Sequence, residues 1–185
     1  MIETDRLMLR PVARADVDLV FDLFSDPLVA PWSGDGQVMT SRAQAEARVE
    51  RYLTRGGARS WAGVFVARVR QTRADAGIAI VVPLPSSQDS AREDAASDDV
   101  EIGWHFRPSA WGHGYATEAG RAMAEHGFAH GCTELYAVTD PDNVRSQGVC
   151  RRLGMTDLGL RGDWYDLTLR AFRLQRAGGP AVSPR

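Results

Sequence analysis

The stretch WGHGYATEAG, residues 111–120, sets two glycines around a histidine just before a segment with helical character. A helix N-terminus presents free backbone N–H groups and the positive end of the helix dipole, so it attracts anions. Glycine lets backbone approach a phosphate oxygen that a Cβ would hold away. One reading of Gly112-His113-Gly114 is therefore a seat for a phosphate-bearing ligand. The other is a tight turn whose glycines take positive φ. The loop alone does not choose. A dinucleotide-binding G-x-G-x-x-G is not met, because Thr117 stands where the third glycine belongs.

Working outward, the flanks alternate between strand and helix patterns. Residues 6–12 (RLMLRPV) alternate apolar and polar residues and read as a first strand. Val17, Leu19, Val20, Leu23 and Phe24 recur at helical spacing, with Asp16 as the cap or first-turn acid. Residues 25–36 are rich in Pro, Gly, Asp and Ser and form a loop. Residues 41–55 read as a second helix, with Ser41 as N-cap and Gly56 as its stop. Residues 60–69 and 76–84 are strand-like and make a hairpin, and the polar stretch 85–99 reads as a flexible loop. Then come a strand at 100–106, a helix at about 115–130, a strand at 133–140 and a helix at 142–154 closed by Gly154. MTDLGL and WYDLTLRAFRL finish the domain as strands, and residues 176–185 read as a disordered tail. The order β-α-α-β-β-β-α-β-α-β-β implies one α/β domain over residues 1–175, with some parallel strand pairing.

Bulk properties narrow the function. The chain has 185 residues, 44% of them hydrophobic and 25% charged, as expected for one globular domain able to bury its own core. Its formal net charge of −2 gives no reason to expect nucleic acid or an anionic membrane as partner. All 22 basic residues are arginines. With no lysine there is no Walker-A lysine and no Schiff-base chemistry. Cys132 and Cys150 form neither a metal-spaced pair nor a disulfide framework, and His126 and His130, though spaced i, i+4, have no evident third ligand, so no metal is expected. The charged, amphipathic N-terminus does not read as a signal peptide, and no apolar run reaches the ~20 residues of a membrane span; a cytoplasmic protein is expected.

A second segment decides what the glycines are for. VTDPDNVRSQGVCRRLGM, residues 138–155, follows the next strand and puts Asn143 at the start of a helix. Together with ETDRLMLRPVARADVDLVFDL, EIGWHF and WGHGYATEA, in that order, it resembles the GNAT superfamily of N-acetyltransferases, and most of all its RimJ/RimL-like branch. The resemblance covers roughly residues 3–174. It implies a mixed, mostly antiparallel sheet with a splayed parallel strand pair and flanking helices.

The resemblance also implies acetyl-CoA as co-substrate, bound where the strands at 100–106 and 133–139 splay apart. Trp104, His105 and Phe106 would take the pantetheine arm by backbone bonds. The amides of Trp111, Gly112, His113, Gly114, Tyr115, Ala116 and Thr117 would hold the pyrophosphate. Trp111 departs from the family's usual Gln or Arg at the first place of that loop, which matters little because the contacts come from backbone. Asn143 would hold the pantetheine arm, or simply cap its helix. Ser146 would hydrogen-bond or protonate the leaving thiolate. Where some relatives carry a tyrosine, this chain has Cys150, read as helix core.

Direct transfer needs a neutral amine, hence a base. The resemblance makes Glu101 the first candidate, since the family often places an acid where this strand starts beside the cleft; His105 is the second, since alternation puts it on one face with Glu101 and Gly103 and a histidine titrates in the useful range. Trp32 and Asp35, in one loop, and Asp163, Trp164 and Tyr165, in another, offer aromatics and carboxylates suited to a cationic amine. The acceptor is either a protein N-terminal amine or a small-molecule amine. Two alternatives stay open: a GNAT enzyme using another acyl-CoA, and an acyl-CoA-binding regulatory domain without turnover. The sequence does not choose between monomer and homodimer.

Overall fold

The hairpin expected around residues 60–84 lies in the middle of an eight-stranded sheet. A computed structural model describes residues 1–87 and 96–176. Strands β1 (Ile2–Glu3), β2 (Leu7–Pro11), β3 (Gly63–Val69), β4 (Asp75–Pro85), β5 (Ala96–Phe106), β6 (Glu134–Thr139), β7 (Thr156–Arg161) and β8 (Leu169–Gln175) lie in the order β1-β2-β3-β4-β5-β6-β8-β7. Every neighbouring pair is antiparallel except β5–β6. This is the mixed, mostly antiparallel sheet that the resemblance implied.

The apolar run of β4 follows from its central place, because both of its faces are covered. Ile78, Ile80 and Val82 pack with Val64 and Val66 of β3 under helices α1 (Val17–Phe24) and α2 (Arg42–Thr54). Ala79 and Val81 face the other way, into a core shared with Ile102, Phe106 and the Ala119, Ala122 and Met123 side of helix α3 (Tyr115–Ala129). A strand buried on both faces loses the polar alternation of a half-buried one. Helix α4 (Val144–Arg152) adds Cys150, fully buried beside Ala137, Met155 and Phe172. Burial pushes that thiol up to about 12, in keeping with its reading as helix core.

Local signals placed most boundaries. Ser41 is the N-cap of α2, and Gln44 Oε1 reaches back to the Ser41 N–H at 3.0 Å. Asp16 takes the expected position but a different partner. It stands at the N-cap of α1, as expected, but its carboxylate makes no cap bond there; it accepts the Ala13 N–H at 2.7 Å and pairs with Arg10 at 2.5 and 2.8 Å. The polar loop is also shorter than expected, since Pro85 belongs to β4 and residues 96–99 to β5. Residues 88–95 and the expected tail from 177 on lie outside the described residues. WYD, expected to open the last strand, is a turn, with Tyr165 and Asp166 at φ +61° and +52°. Among the described residues no helix is long and apolar enough to cross a membrane.

Candidate active site

The parallel pair β5–β6 registers at a single position, Glu101 opposite Tyr136. Beyond it the two strands share no further register pair, although β5 continues to Phe106 and β6 to Thr139. The β6-facing edge of residues 102–106 is therefore open. The N-termini of α3 and α4 follow these two strands, so both helices begin at the mouth of the gap. Ligands of α/β sheets favour such crevices beyond the C-terminal ends of diverging strands.

At the first mouth, Gly112 and Gly114 take φ +80° and +79°. Gly114 is the N-cap of α3 and offers no side chain to the helix. The first helical bond is Glu118 N–H to the Gly114 carbonyl, at 3.1 Å. The N–H groups of residues 112–117 thus have no partner among the described residues. A Cβ on Gly112 would meet nothing within 4 Å, so the space in front of the loop is open. Arg6 braces the loop from behind, bonding the His113 carbonyl at 2.8 Å and Glu118 at 2.6 Å. Arg145 of α4 lies over the Trp111 ring at 4.3 Å, and Arg152 bonds Thr117 Oγ1 at 3.1 Å. The positive φ values fit a turn, and the same turn presents six amides at the start of a helix, where an anion can take them in place of water. Trp104, packed against Gly120 of α3 beside Leu153, carries a buried indole N–H that has no partner among the described residues. Open donors of this kind suit a site that a ligand completes.

At the second mouth, Asn143 caps α4, its Oδ1 accepting the Ser146 N–H at 3.1 Å. The structural alternative for Asn143 is therefore present, and its amide N–H groups make no bond among the described residues. Ser146 is half-buried one turn into the helix.

The other face of β5 carries the acid–base groups. Glu101, Gly103 and His105 pair with Val82, Ile80 and Ile78, so they share the face covered by α1 and α2. Glu101 is 7% exposed. Its Oε2 accepts the Tyr165 hydroxyl at 2.5 Å and lies 3.8 Å from the Arg55 guanidinium, which itself donates to Tyr165 Oη at 2.6 Å. Burial pushes the Glu101 carboxyl above its ordinary value, against the opposing pull of Arg55 and Tyr165. Burial, and after it Arg48 and Arg55, push His105 down to about 4, leaving a neutral ring edge-on to Phe24 at 5.3 Å.

The expected substrate residues separate. Trp32 is 38% exposed. Asp35 Oδ1 accepts the Gln37 N–H at 3.1 Å and so holds its own loop. Trp164 corrects the expectation: it is 5% exposed, packed with Leu84, Tyr136 and Ala171, and its indole donates to Asp99 at 3.0 Å. A side chain bonded and packed that way anchors the loop. Its neighbour Tyr165 reaches Glu101 instead. Arg48 and Arg55 were missed. Their signal was the i, i+4, i+7 spacing of Arg48, Tyr52 and Arg55 on α2, which puts three polar side chains on one face. His126 and His130 pack against Trp61. Among the described residues no group of three metal-ligating side chains exists.

Residues 6–156 match the acetyltransferase (GNAT) domain family. An uncharacterised N-acetyltransferase of Bacillus subtilis is 34% identical over 74 residues, 36% of this chain and 44% of that protein. An uncharacterised protein of the same organism is 28% identical over 155 residues, 82% of this chain and 83% of the relative. Among solved structures, the ribosomal L7/L12 alpha-N-protein acetyltransferase RimL in complex with coenzyme A superposes with a TM-score of 0.72 at 17% identity, covering 93% of this chain and 95% of that one. AAC(6')-Ib in complex with ribostamycin and coenzyme A does so with a TM-score of 0.74 at 18% identity, covering 93% and 94%. Fold, loop and family match converge: the chain belongs to the GNAT acetyltransferase family.

Proposed function

We propose that this chain is an N-acetyltransferase that moves the acetyl group of acetyl-CoA directly to a primary amine. The observation that carries the reading is the open β5 edge, which runs from Glu101 to a glycine loop with six unanswered amides. The two solved relatives bound to coenzyme A support the choice of co-substrate. Acetyl-CoA would supply an activated acyl group on a thiol leaving group.

The chain's own residues divide the work. The amides of residues 112–117 and the N-terminus of α3 neutralise the pyrophosphate, with Gly112 and Gly114 keeping the approach clear. Backbone groups of Trp104, His105 and Phe106 extend the strand ladder to the pantetheine arm, and the free amide of Asn143 adds a donor. A backbone N–H on this edge polarises the thioester carbonyl, an effect worth a few kcal/mol (about 3) in comparable sites. Ser146 Oγ donates to the departing thiolate.

Glu101 takes the proton from the incoming ammonium. A carboxylate lifted by burial is a stronger base than an exposed one. His105, pushed down to about 4, is the weaker candidate, so its role is to present a neutral ring beside the amine. Tyr165 and Arg55 hold the carboxylate in one orientation.

Thermal unfolding with and without acetyl-CoA, with NADP as control, is the test. A ligand at 100 times its Kd stabilises by about 2.7 kcal/mol, a clear shift in Tm. Acetyl-CoA is expected to shift Tm where NADP does not, and to release free thiol once an amine is added. A shift without thiol release across a broad amine panel would favour a binding domain. No shift with acetyl-CoA would overturn the reading.

A further inference from the structure

The charge around Glu101 is the reverse of what a polycationic acceptor needs. Two guanidiniums converge on this face of β5. Arg55 lies 3.8 Å from the Glu101 carboxylate. Arg48, one helical repeat earlier on α2, stacks on Phe24 at 4.1 Å and bonds Ser33 Oγ at 3.2 Å. Phe24 in turn touches His105, and both arginines help to depress that histidine. Arg48 therefore belongs to the same cluster as His105 and Glu101.

Arg48 is half-buried and forms no ion pair among the described residues. Acids of the surrounding loops and of α1 are engaged elsewhere. Asp35 holds the Gln37 N–H, Asp163 pairs with Arg161 at 2.7 Å, Asp99 accepts from Trp164, and Asp22 pairs with Arg107 at 3.2 Å. With His105 neutral, Arg55 is answered by Glu101, while Arg48 bears on His105 with no carboxylate of its own among the described residues. A half-buried guanidinium without a counter-ion is costly unless something anionic meets it. Its flat fork suits a carboxylate or phosphate.

We propose that the acceptor is a primary amine that also bears an anionic group, most simply a carboxylate. Arg48 grips the anion while the amine faces Glu101. The proposal rests on the acetyl-transfer reading above and narrows its substrate. It also reverses the cationic acceptor expected from the loop carboxylates, because those carboxylates are spent on their own loops. Two sources share this chemistry: a free amino acid, and a peptide N-terminus followed by an acidic residue.

The test is thiol release from acetyl-CoA with paired acceptors. Amino acids are compared with their own carboxamides, dipeptides bearing Asp or Glu second with their Asn or Gln twins, and spermidine serves as the polycation. The acid member of one series is expected to lead in kcat/KM by about 10- to 100-fold, the range of a charge-assisted contact. The series that shows the preference identifies the source. In R48Q the ratio collapses, and R48K retains part of it. Because Arg48 also braces Ser33 and Phe24, the Tm of each variant is measured, and the acid-to-amide ratio is read since loop packing alone does not move it. If R48Q does not fold, the wild-type ratio and R48K decide. Carboxamides or spermidine equal to the acids, or a preference untouched in R48Q, overturns the proposal while leaving acetyl transfer standing. No thiol release with any amine overturns both.

Discussion

The Tyr165 hydroxyl donates to Glu101 Oε2 at 2.5 Å, across 64 residues of sequence. Tyr165 reaches that position from a left-handed backbone, φ +61°, followed by Asp166 at +52°. Such conformations cost non-glycine residues on the order of 1 kcal/mol or more and persist where surrounding contacts hold them. Here the holding contacts are a bridge between Ser86 and Trp164, the Ser87 N–H to the Asp163 carbonyl at 2.8 Å, and the Asp166 N–H to Ser87 Oγ at 3.1 Å. The strained turn serves to place one hydroxyl.

Removing that hydroxyl gives the first prediction. Tyr165 stabilises the ionised form of Glu101, so Y165F raises the carboxyl further above its ordinary value. Activity that needs the carboxylate falls away as pH drops through that value. The acidic limb of kcat/KM against pH is therefore expected to move to higher pH in Y165F. In E101Q the limb disappears and turnover falls by about 10²- to 10⁴-fold, the usual contribution of a general base. A limb unmoved in Y165F and present in E101Q would transfer the role to another group.

His105 makes acid stability the second prediction. Its ordinary value of 6.5 drops to about 4 in the fold. Between those two values the unfolded chain binds the proton and the folded chain does not, so this histidine's contribution is lost as pH falls from 6.5 toward 4. The full difference is on the order of 2–3 kcal/mol, allowing for the ring's partial exposure. Urea midpoints of wild type are expected to fall more steeply over this window than those of H105Q. Equal slopes would mean that the ring titrates normally.

Glycines 112 and 114 separate turn from cradle. At φ +80° any Cβ costs on the order of 1–2 kcal/mol, yet one on Gly112 meets no protein atom within 4 Å. G112A is therefore expected to lower Tm only slightly while weakening acetyl-CoA binding at least tenfold, because the methyl group would stand where the proposed cradle receives phosphate oxygens. G114V adds a branched side chain at φ +79°, beside the Arg6 guanidinium, and is expected to cost more in both measures. Isothermal titration against a Tm series checks this. Binding that falls only in proportion to stability would return the loop to a plain turn.

The sequence was most legible where one local rule acts alone. Ser41 as a cap, the glycines before α3, and the alternation of Glu101, Gly103 and His105 all follow from spacing within a few residues. Asp16 holds the N-cap position that spacing gave it, but Arg10, six residues back, takes its carboxylate in place of the helix terminus. Arg55 and Tyr165 could not be assigned to Glu101 from spacing at all. They stand 46 and 64 residues from it in sequence and meet only when α2 and the turn before β8 close on one strand.

Trp164 shows how a loop aromatic can mislead, and it supports the last prediction. Aromatic–acid loops suit cationic ligands, but this indole is turned inward, against Tyr136 at 5.1 Å, with its N–H on Asp99. If Trp164 touched the acceptor, W164F would raise KM and spare stability. Its burial calls for the opposite. W164F loses one buried hydrogen bond and is expected to cost about 1–2 kcal/mol, and W164A about 3–5 kcal/mol through the cavity it opens. Because Tyr165 is the next residue on the same strained turn, W164A is also expected to loosen the Tyr165–Glu101 bond. The acidic limb would then shift in the direction expected for Y165F. Denaturant midpoints together with pH profiles of both variants check this. A raised KM in a variant of unchanged stability would restore Trp164 to the substrate's side of the loop.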